Sequence, residues 1–319
     1  MKRVLILASL LLFASCEREE GTSNSETNET MKSLTVAVSV GTTESRVAID
    51  EGSGDSAWNL VWVEDDFIEV WYDGCSALST FAMVSHDPEL STFSGSVGEQ
   101  VNEIRVIHTT SEAGATLSGS DLSIDLSAQN GALDKTYMMS DDVVSLDESE
   151  ALSSLAMKHV GGFFAIYLKV TNVIEGVEYK VTKLSIDGMP TTATIDLTSA
   201  ISDKLYDDDT LKGVTTATVD ETISAEAETE LRLNILPFTY AAGNSLSFEI
   251  TFEINGNTYT DSFVKTNSTE NDILFERAKY NYSTITLDGT TGAIEVTDCT
   301  ITPWGEGNDG SGIINTQIQ

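Results

Sequence analysis

Cys16 is the first residue in the chain whose setting points to a defined chemistry. It closes the run Phe13-Ala14-Ser15-Cys16, where small residues lead into a cysteine as in a lipobox, with Phe13 in the place the usual pattern gives to leucine. In such a site the thiol is acylated and the cysteine becomes the new N-terminus. Ahead of it, Lys2 and Arg3 form a basic start, and Val4–Ala14 is an apolar run too short for the ~20 residues that cross a bilayer as a helix. Residues 1–15 are therefore expected to be a lipoprotein signal peptide and Cys16 the lipidation site. Palmitate-type chains, at about 0.8 kcal/mol per buried CH₂, would anchor the protein firmly without a transmembrane helix. An ordinary secretory signal with an incidental cysteine is the alternative.

Elsewhere the residue types that carry catalysis do not fall into a working arrangement. His86, His108 and His159 are far apart, and none has a Cys or His partner at metal-ligand spacing. The sequence has no Gly-x-Ser-x-Gly elbow, no phosphate-binding Gly-x-x-x-x-Gly-Lys-Ser/Thr loop and no dinucleotide fingerprint. With 51 acidic residues, a carboxylate pair can be drawn almost anywhere and so identifies no glycosidase. Two oxygen-rich loops, 50–55 and 308–310, suit either calcium or a plain acidic turn, and neither has EF-hand spacing. The expectation is no enzyme, no cofactor and no metal. Cys75 and Cys299 leave open a disulfide or two separate thiols.

A formal net charge of −34 against 17 basic residues argues against nucleic acid and against charge-driven binding to anionic lipid. After Cys16 come Glu17-Arg18-Glu19-Glu20 and a Ser/Thr/Asn-rich tract, so 16–33 should be a flexible tether. The acidic cluster either resembles the surface-export signal of certain Gram-negative lipoproteins or only reflects the overall composition.

The elements beyond residue 33 read as short alternating strands with polar turns, which makes the chain all-β. In LTVAVSV, Leu34, Val36, Val38 and Val40 alternate with small polar or small residues, giving one apolar face. Further strands are expected at Leu60–Val63, Phe67–Tyr72, Thr80–Val84, Ser91–Val97, Glu103–His108, around Leu122–Leu126, and at Tyr137–Met139. Trp58, Trp62 and Trp71 are expected in the core. Leu146–Met157 reads as a link or one helical turn, dividing the chain into domains at 34–152 and 153–319. Gly161–Val170 is apolar on both faces and should be a central strand, with Tyr179–Ile186 and Thr192–Leu197 pairing near it. Ser199–Lys212 should be an exposed loop, with or without a helical turn. Leu246–Val264 should be a hairpin turning at Asn255-Gly256. Glu228–Ile235, Tyr280–Leu287, Ala293–Val296 and Ile301–Trp304 complete the series.

Several segments together resemble the fimbrillin family, the lipoprotein precursors of protease-assembled (type V) pili: FASC, LTVAVSV, Arg46 in TTESR, NLVWVEDDFIEVWY, AMKHVGGFFAIYLKV, FERAKYNYSTITL and ITPWGEG. The resemblance implies two tandem transthyretin-like β-sandwiches. It also implies cleavage by an arginine-specific protease between Arg46 and Val47. The strand bearing Leu34, Val36, Val38 and Val40 would leave, and a neighbouring subunit's C-terminal strand would replace it. The partners implied are other pilus subunits, with a host or bacterial surface ligand, and the location is first the outer membrane and then the fimbrium. Ile314, Thr316 and Ile318 are the candidate donor row, less apolar than the strand they would replace; a tail unable to donate would make the protein a tip or anchor relative. The rival reading is a monomeric lipid-anchored module that binds glycan or host protein.

Overall fold

The computed structural model describes residues 31–40, 48–50, 59–62, 64–88, 90–109, 116–133, 135–146, 151–201, 205–223, 229–277, 280–288 and 295–302; side chains at 40, 48–50, 59–61, 151–154, 280 and 295–302 lie outside the description. The described residues form strands and turns, with one 3-10 turn at Asp209–Leu211 inside the expected 199–212 loop. The first half contributes β1 (Met31–Val40), β2 (Ala48–Asp50), β3 (Asn59–Val61), β4 (Phe67–Trp71), β5 (Ser79–Ser85), β6 (Leu90–Gly98), β7 (Glu103–Thr109), β8 (Thr116–Ser118), β9 (Asp121–Asp125), β10 (Ala128–Gln129), β11 (Tyr137–Ser140), β12 (Val144–Ser145) and β13 (Ala151–His159).

Eight of these form a sheet in the order β11-β13-β1-β6-β5-β4-β7-β12, and β11 pairs with β7 as well. That extra pairing closes seven strands into a hydrogen-bonded ring, so the first half has the connectivity of a flattened barrel. Inside the ring lies a core built on Leu34, Val36, Val38, Trp62, Phe81 and Phe93. Gly95 belongs to this interior because a Cβ there would run into the Phe81 ring. Leu146–Met157, expected as a link, corrects to strand from residue 151: β13 pairs in parallel with β1 and antiparallel with β11. Its LSSLAM spacing mimics a helical repeat, but pairing on both edges decides the conformation.

The second half contributes β14 (Gly162–Thr171), β15 (Tyr179–Pro190), β16 (Thr192–Asp196), β17 (Lys212–Ile223), β18 (Thr229–Ile235), β19 (Phe238–Tyr240), β20 (Ser245–Ile254), β21 (Asn257–Thr266), β22 (Ile273–Phe275), β23 (Tyr280–Asp288) and β24 (Glu295–Thr302). Two sheets, β10-β17-β15-β20-β21 and β18-β14-β23-β24, pack over a core that includes Phe164, Ile166, Leu184, Ile250 and Phe252. The β20–β21 hairpin turns at Asn255-Gly256, both at positive φ, and Leu246, Phe248, Ile250, Phe252 and Ile254 are all buried. β14 is central, as expected, but only one of its faces is fully buried, since Phe163, Tyr167 and Lys169 are half-buried. Neither expected neighbour pairs with it. β15 lies in the opposite sheet, and β16 pairs with β9 of the first half.

The halves are stitched together by that β9–β16 pairing, by β10 against β17, and by a third core that joins Trp71, Ile107, Leu122 and Met139 to Ile195, Leu197 and Leu236. β7 therefore buries alternate side chains on two sides, Ile104 and Val106 inside the ring and Ile107 against the junction. The expected division at 152/153 falls within β13, which turns through Val160-Gly161 directly into β14. A Cβ on Gly161 would strike the Ile235 carbonyl, so the corner is tight.

Arg277 clasps this junction. Its Nε donates to the His159 carbonyl, and its Nη1 donates to Asp141 Oδ1 (2.8 Å) and the Ile201 carbonyl (3.1 Å). Partial burial of Asp141 opposes ionisation, but hydrogen bonds from Lys158 and Arg277 outweigh it and hold this carboxyl below its ordinary 3.8. A depressed carboxyl stabilises the fold above the unfolded value and loses that contribution as pH falls through the folded one. Arg277→Ala, which removes the guanidinium donors to the His159 and Ile201 carbonyls, should lower stability by about 1–3 kcal/mol. Denaturant melts should also show that the wild-type advantage over the variant shrinks below about pH 3.8. A variant of equal stability at pH 7 would show that the clasp contributes nothing.

Candidate functional site: the first strand and its slot

β1 has the sequence MKSLTVAVSV, and its alternation is realised in the fold. Leu34 is 1% exposed, and Val36 and Val38 are 0% exposed, all facing into the ring. One edge pairs antiparallel with β6 over nine positions, from Met31 opposite Gly98 to Ser39 opposite Leu90. The other edge pairs in parallel with β13 from Thr35 opposite Ala151 to Val40 opposite Met157, with a bulge between Val36 and Val38.

Polar contacts add to the hold on this strand. Trp62 Nε1 donates to the Val38 carbonyl (3.0 Å), Ser94 Oγ to the Leu34 carbonyl (3.3 Å), and Ser39 Oγ to the Leu155 carbonyl (3.2 Å). The Trp62 ring is sealed in the core, 4.9 Å from Phe93 and 5.3 Å from His108, each edge-on. His108 Nδ1 lies 2.7 Å from the Phe67 carbonyl, an acceptor only, so Nδ1 carries the proton. Its Nε2 is buried without a hydrogen-bond partner. Burial pushes the His108 imidazole below its ordinary 6.5, against the smaller opposing effects of the Phe67 carbonyl and Asp66.

Three of the four expected slot residues, Leu34, Val36 and Val38, are thus brought together in one core. Val40 lies on β1 with its side chain outside the description. Cys16, Arg46, Val47, Ile314, Thr316 and Ile318 lie outside the described residues. On either side of 41–47, β1 ends at Val40 in the ring, and β2 begins at Ala48 in a two-stranded ribbon with β3. Trp62 and Trp71 are buried as expected, but in different cores, and Trp58 lies outside the described residues. The three histidines have separate settings: His86 Nε2 is 2.8 Å from the Trp62 carbonyl, His108 stands beside Trp62, and His159 is edge-on to Phe163 at 4.6 Å. Cys75 carries a free thiol. Among the described residues, no three His, Cys, Asp or Glu side chains group as metal ligands, and no helix is long and apolar enough to cross a membrane. Sequence reading missed β13 as one wall of the slot and Trp62 as the donor to β1. An indole Nε1–H, which must find an acceptor when buried, was the available signal for the second.

A family model described as fimbrillin-like matches residues 109–304. The chain belongs to the fimbrillin-like family. No curated protein matches the sequence. Among solved structures, a candidate cell adhesion protein from Bacteroides fragilis shares 12% identity with this fimbrillin-like chain. The match covers 86% of this chain and 99% of that one, with a TM-score of 0.50, which is a likeness of fold. A candidate cell adhesion protein from Bacteroides uniformis (16% identity, 88% of this chain and 100% of that one, TM-score 0.46) and a fimbrial assembly protein from Parabacteroides distasonis (10%, 86% and 99%, TM-score 0.37) are more distant in shape.

Leu34→Ala should cost about 2–5 kcal/mol in chemical denaturation, whereas the outward-facing Thr35→Ala should stay within about 1 kcal/mol. Equal effects would mean that the inward row does not carry the strand. Because the His108 pKa is depressed, its contribution is intact above the ordinary 6.5 and is lost as pH falls below it. His108→Phe should accordingly flatten the fall in thermal midpoint between pH 6.5 and 5, and an unchanged slope would contradict the assignment.

Proposed function

We propose that this fimbrillin-like chain is the surface-lipoprotein precursor of a fimbrial subunit, assembled by removal of β1 and donor-strand exchange. The observation that carries the reading is that β1, one ten-residue strand, lies between β6 and β13 in the closed ring, paired on both edges and tied to the rest of the chain through its two ends. Cleavage between Arg46 and Val47 would cut one tie. The other leads back from Met31, since residues 31–33 of the expected tether belong to β1, towards the lipid on Cys16.

Burial of Leu34, Val36 and Val38 at about 1.5–3 kcal/mol each gives roughly 4.5–9 kcal/mol. That is comparable with the whole margin of a domain, about 5–15 kcal/mol. A subunit without β1 would expose the facing edges of β6 and β13 and an apolar groove between them, a strong template for another strand. Ile314, Thr316 and Ile318 of a neighbouring copy are the donor row in this reading. Repeating such a head-to-tail contact without closure yields a filament. The same reading treats the chain as two tandem transthyretin-like units meeting at the β13–β14 corner. It places the protein in the outer membrane before cleavage and in the fimbrium afterwards, contributing to adhesion.

The N-terminus of protein from sheared filaments is the test. This reading expects Val47 there and a lipidated Cys16 on the unassembled precursor. Arg46→Ala should leave membrane-bound, unpolymerised protein, and normal filaments from that variant would refute cleavage as the trigger. A lipidated Cys16 on every copy would instead favour the anchored binding module.

A further inference from the structure

β7 buries side chains on both of its faces, and one of them is an arginine. Ile104 and Val106 enter the ring core, so alternation puts Arg105 on the face it shares with Ile107, which packs in the junction core. Arg105 is 0% exposed. On β4 it stands opposite Trp71, whose indole Nε1 donates to the Gly119 carbonyl (3.3 Å). On the other edge of β7, Met139 of β11 is opposite Ile107 and Val144 of β12 is opposite Ile104, so the turn at 141–143 comes level with Arg105. Ser140 fixes that turn: its Oγ accepts from the Val106 N–H (3.3 Å) and donates to the Asp142 carbonyl (3.0 Å).

The guanidinium is buried without an acceptor. Among the described residues, nothing accepts a hydrogen bond from its Nε, Nη1 or Nη2, and a guanidinium is a donor only. Arg277, which clasps the same junction through Asp141, also leaves its Nη2 buried without an acceptor. Burial pulls the Arg105 guanidinium below its ordinary range, opposed by the charges of Asp142, Asp141 and Asp196 and assisted by Arg277. Those three carboxylates are engaged elsewhere or in water. Asp141 takes Lys158 on one oxygen (3.0 Å) and Arg277 on the other (2.8 Å). Asp196 takes the Thr198 N–H (2.9 Å), the Thr198 hydroxyl (2.7 Å) and the Ser199 hydroxyl (2.8 Å). Asp142 is exposed. An unpaired buried charge is costly enough that folded proteins pair it.

We propose that Arg105 holds a small monovalent anion, of chloride size, at the junction of the two halves. The chemistry of the donors selects an anion, because the planar fork offers N–H groups in one direction and a full positive charge behind them. Complete burial of Arg105 excludes a ligand of metabolite size. The negative charges of Asp141, Asp142 and Asp196 act on the same place and disfavour a divalent anion. The site is independent of the strand-exchange reading, since it lies on the outer face of β7 and none of its residues belongs to the slot. Its occupancy makes the stability of the junction depend on the anion in the surrounding medium.

Urea denaturation of the full chain tests this, with chloride exchanged for gluconate at constant ionic strength. Above the dissociation constant, each tenfold rise in chloride should raise the wild-type folding constant about tenfold, and bromide should act likewise. Arg105→Met, which keeps an apolar stem and removes the charge, should show no such response. Equal responses in the two proteins, or none in the wild type, overturn the site. If Arg105→Met does not fold, wild-type crystals grown in bromide decide the matter. An anomalous peak within hydrogen-bond distance of the Arg105 guanidinium supports the anion, whereas water or the Asp142 carboxylate in that position overturns it.

Discussion

The structure depends on one strand completing a ring. Seven strands of the first half are hydrogen-bonded in a closed circuit, and β1 is the stave with the simplest attachment, being first in order and joined onward through 41–47. Closure matters because a ring has no edges. β1 pairs with β6 along nine positions and with β13 from Thr35 to Val40 across a bulge, and its apolar row seals the interior on that side. Removing such a strand opens two edges and a groove together. The hydrophobic and hydrogen-bonding terms then favour the same outcome, which is recapture of a strand of similar alternation.

The rest of the molecule keeps the walls of that slot in place. β13 is tied at its far end to the second half by the tight Val160-Gly161 corner and by Arg277, which takes the His159 carbonyl and Asp141 at once. Strand pairings between β9 and β16 and between β10 and β17 cross the same junction, and the third core fills it. With contacts of all these kinds across the junction, the two halves are expected to move as a unit. A strand held in the ring would then hold the second sandwich, and β24 at its edge, in a fixed relation to it.

Local patterns in the sequence were a good guide where one face of a strand is buried and the other is wet. Leu34–Val38 and the β20–β21 hairpin follow directly from period-two alternation and from the Asn255-Gly256 turn. Pattern reading was weaker where partners are distant. Nothing in Tyr179–Ile186 says which of two sheets it joins, and nothing in Thr192–Leu197 says that its partner is β9, some seventy residues earlier. β13 was missed because LSSLAM has a helix-like spacing that only its two strand neighbours override. The slot was half legible: its occupant could be read, whereas its β13 wall and the Trp62 clasp needed the register. No row of alternating residues reveals where a neighbouring strand begins to pair.

The central claim, that β1 must leave its slot before the subunit can polymerise, is tested most directly by stapling it in place. Thr35 and Ser94 are direct partners across β1 and β6, so cysteines at both positions can be joined by a disulfide. The account predicts that the oxidised protein is still cut at Arg46 but stays monomeric, and that reduction restores assembly. Filaments formed while the staple remains closed would contradict it.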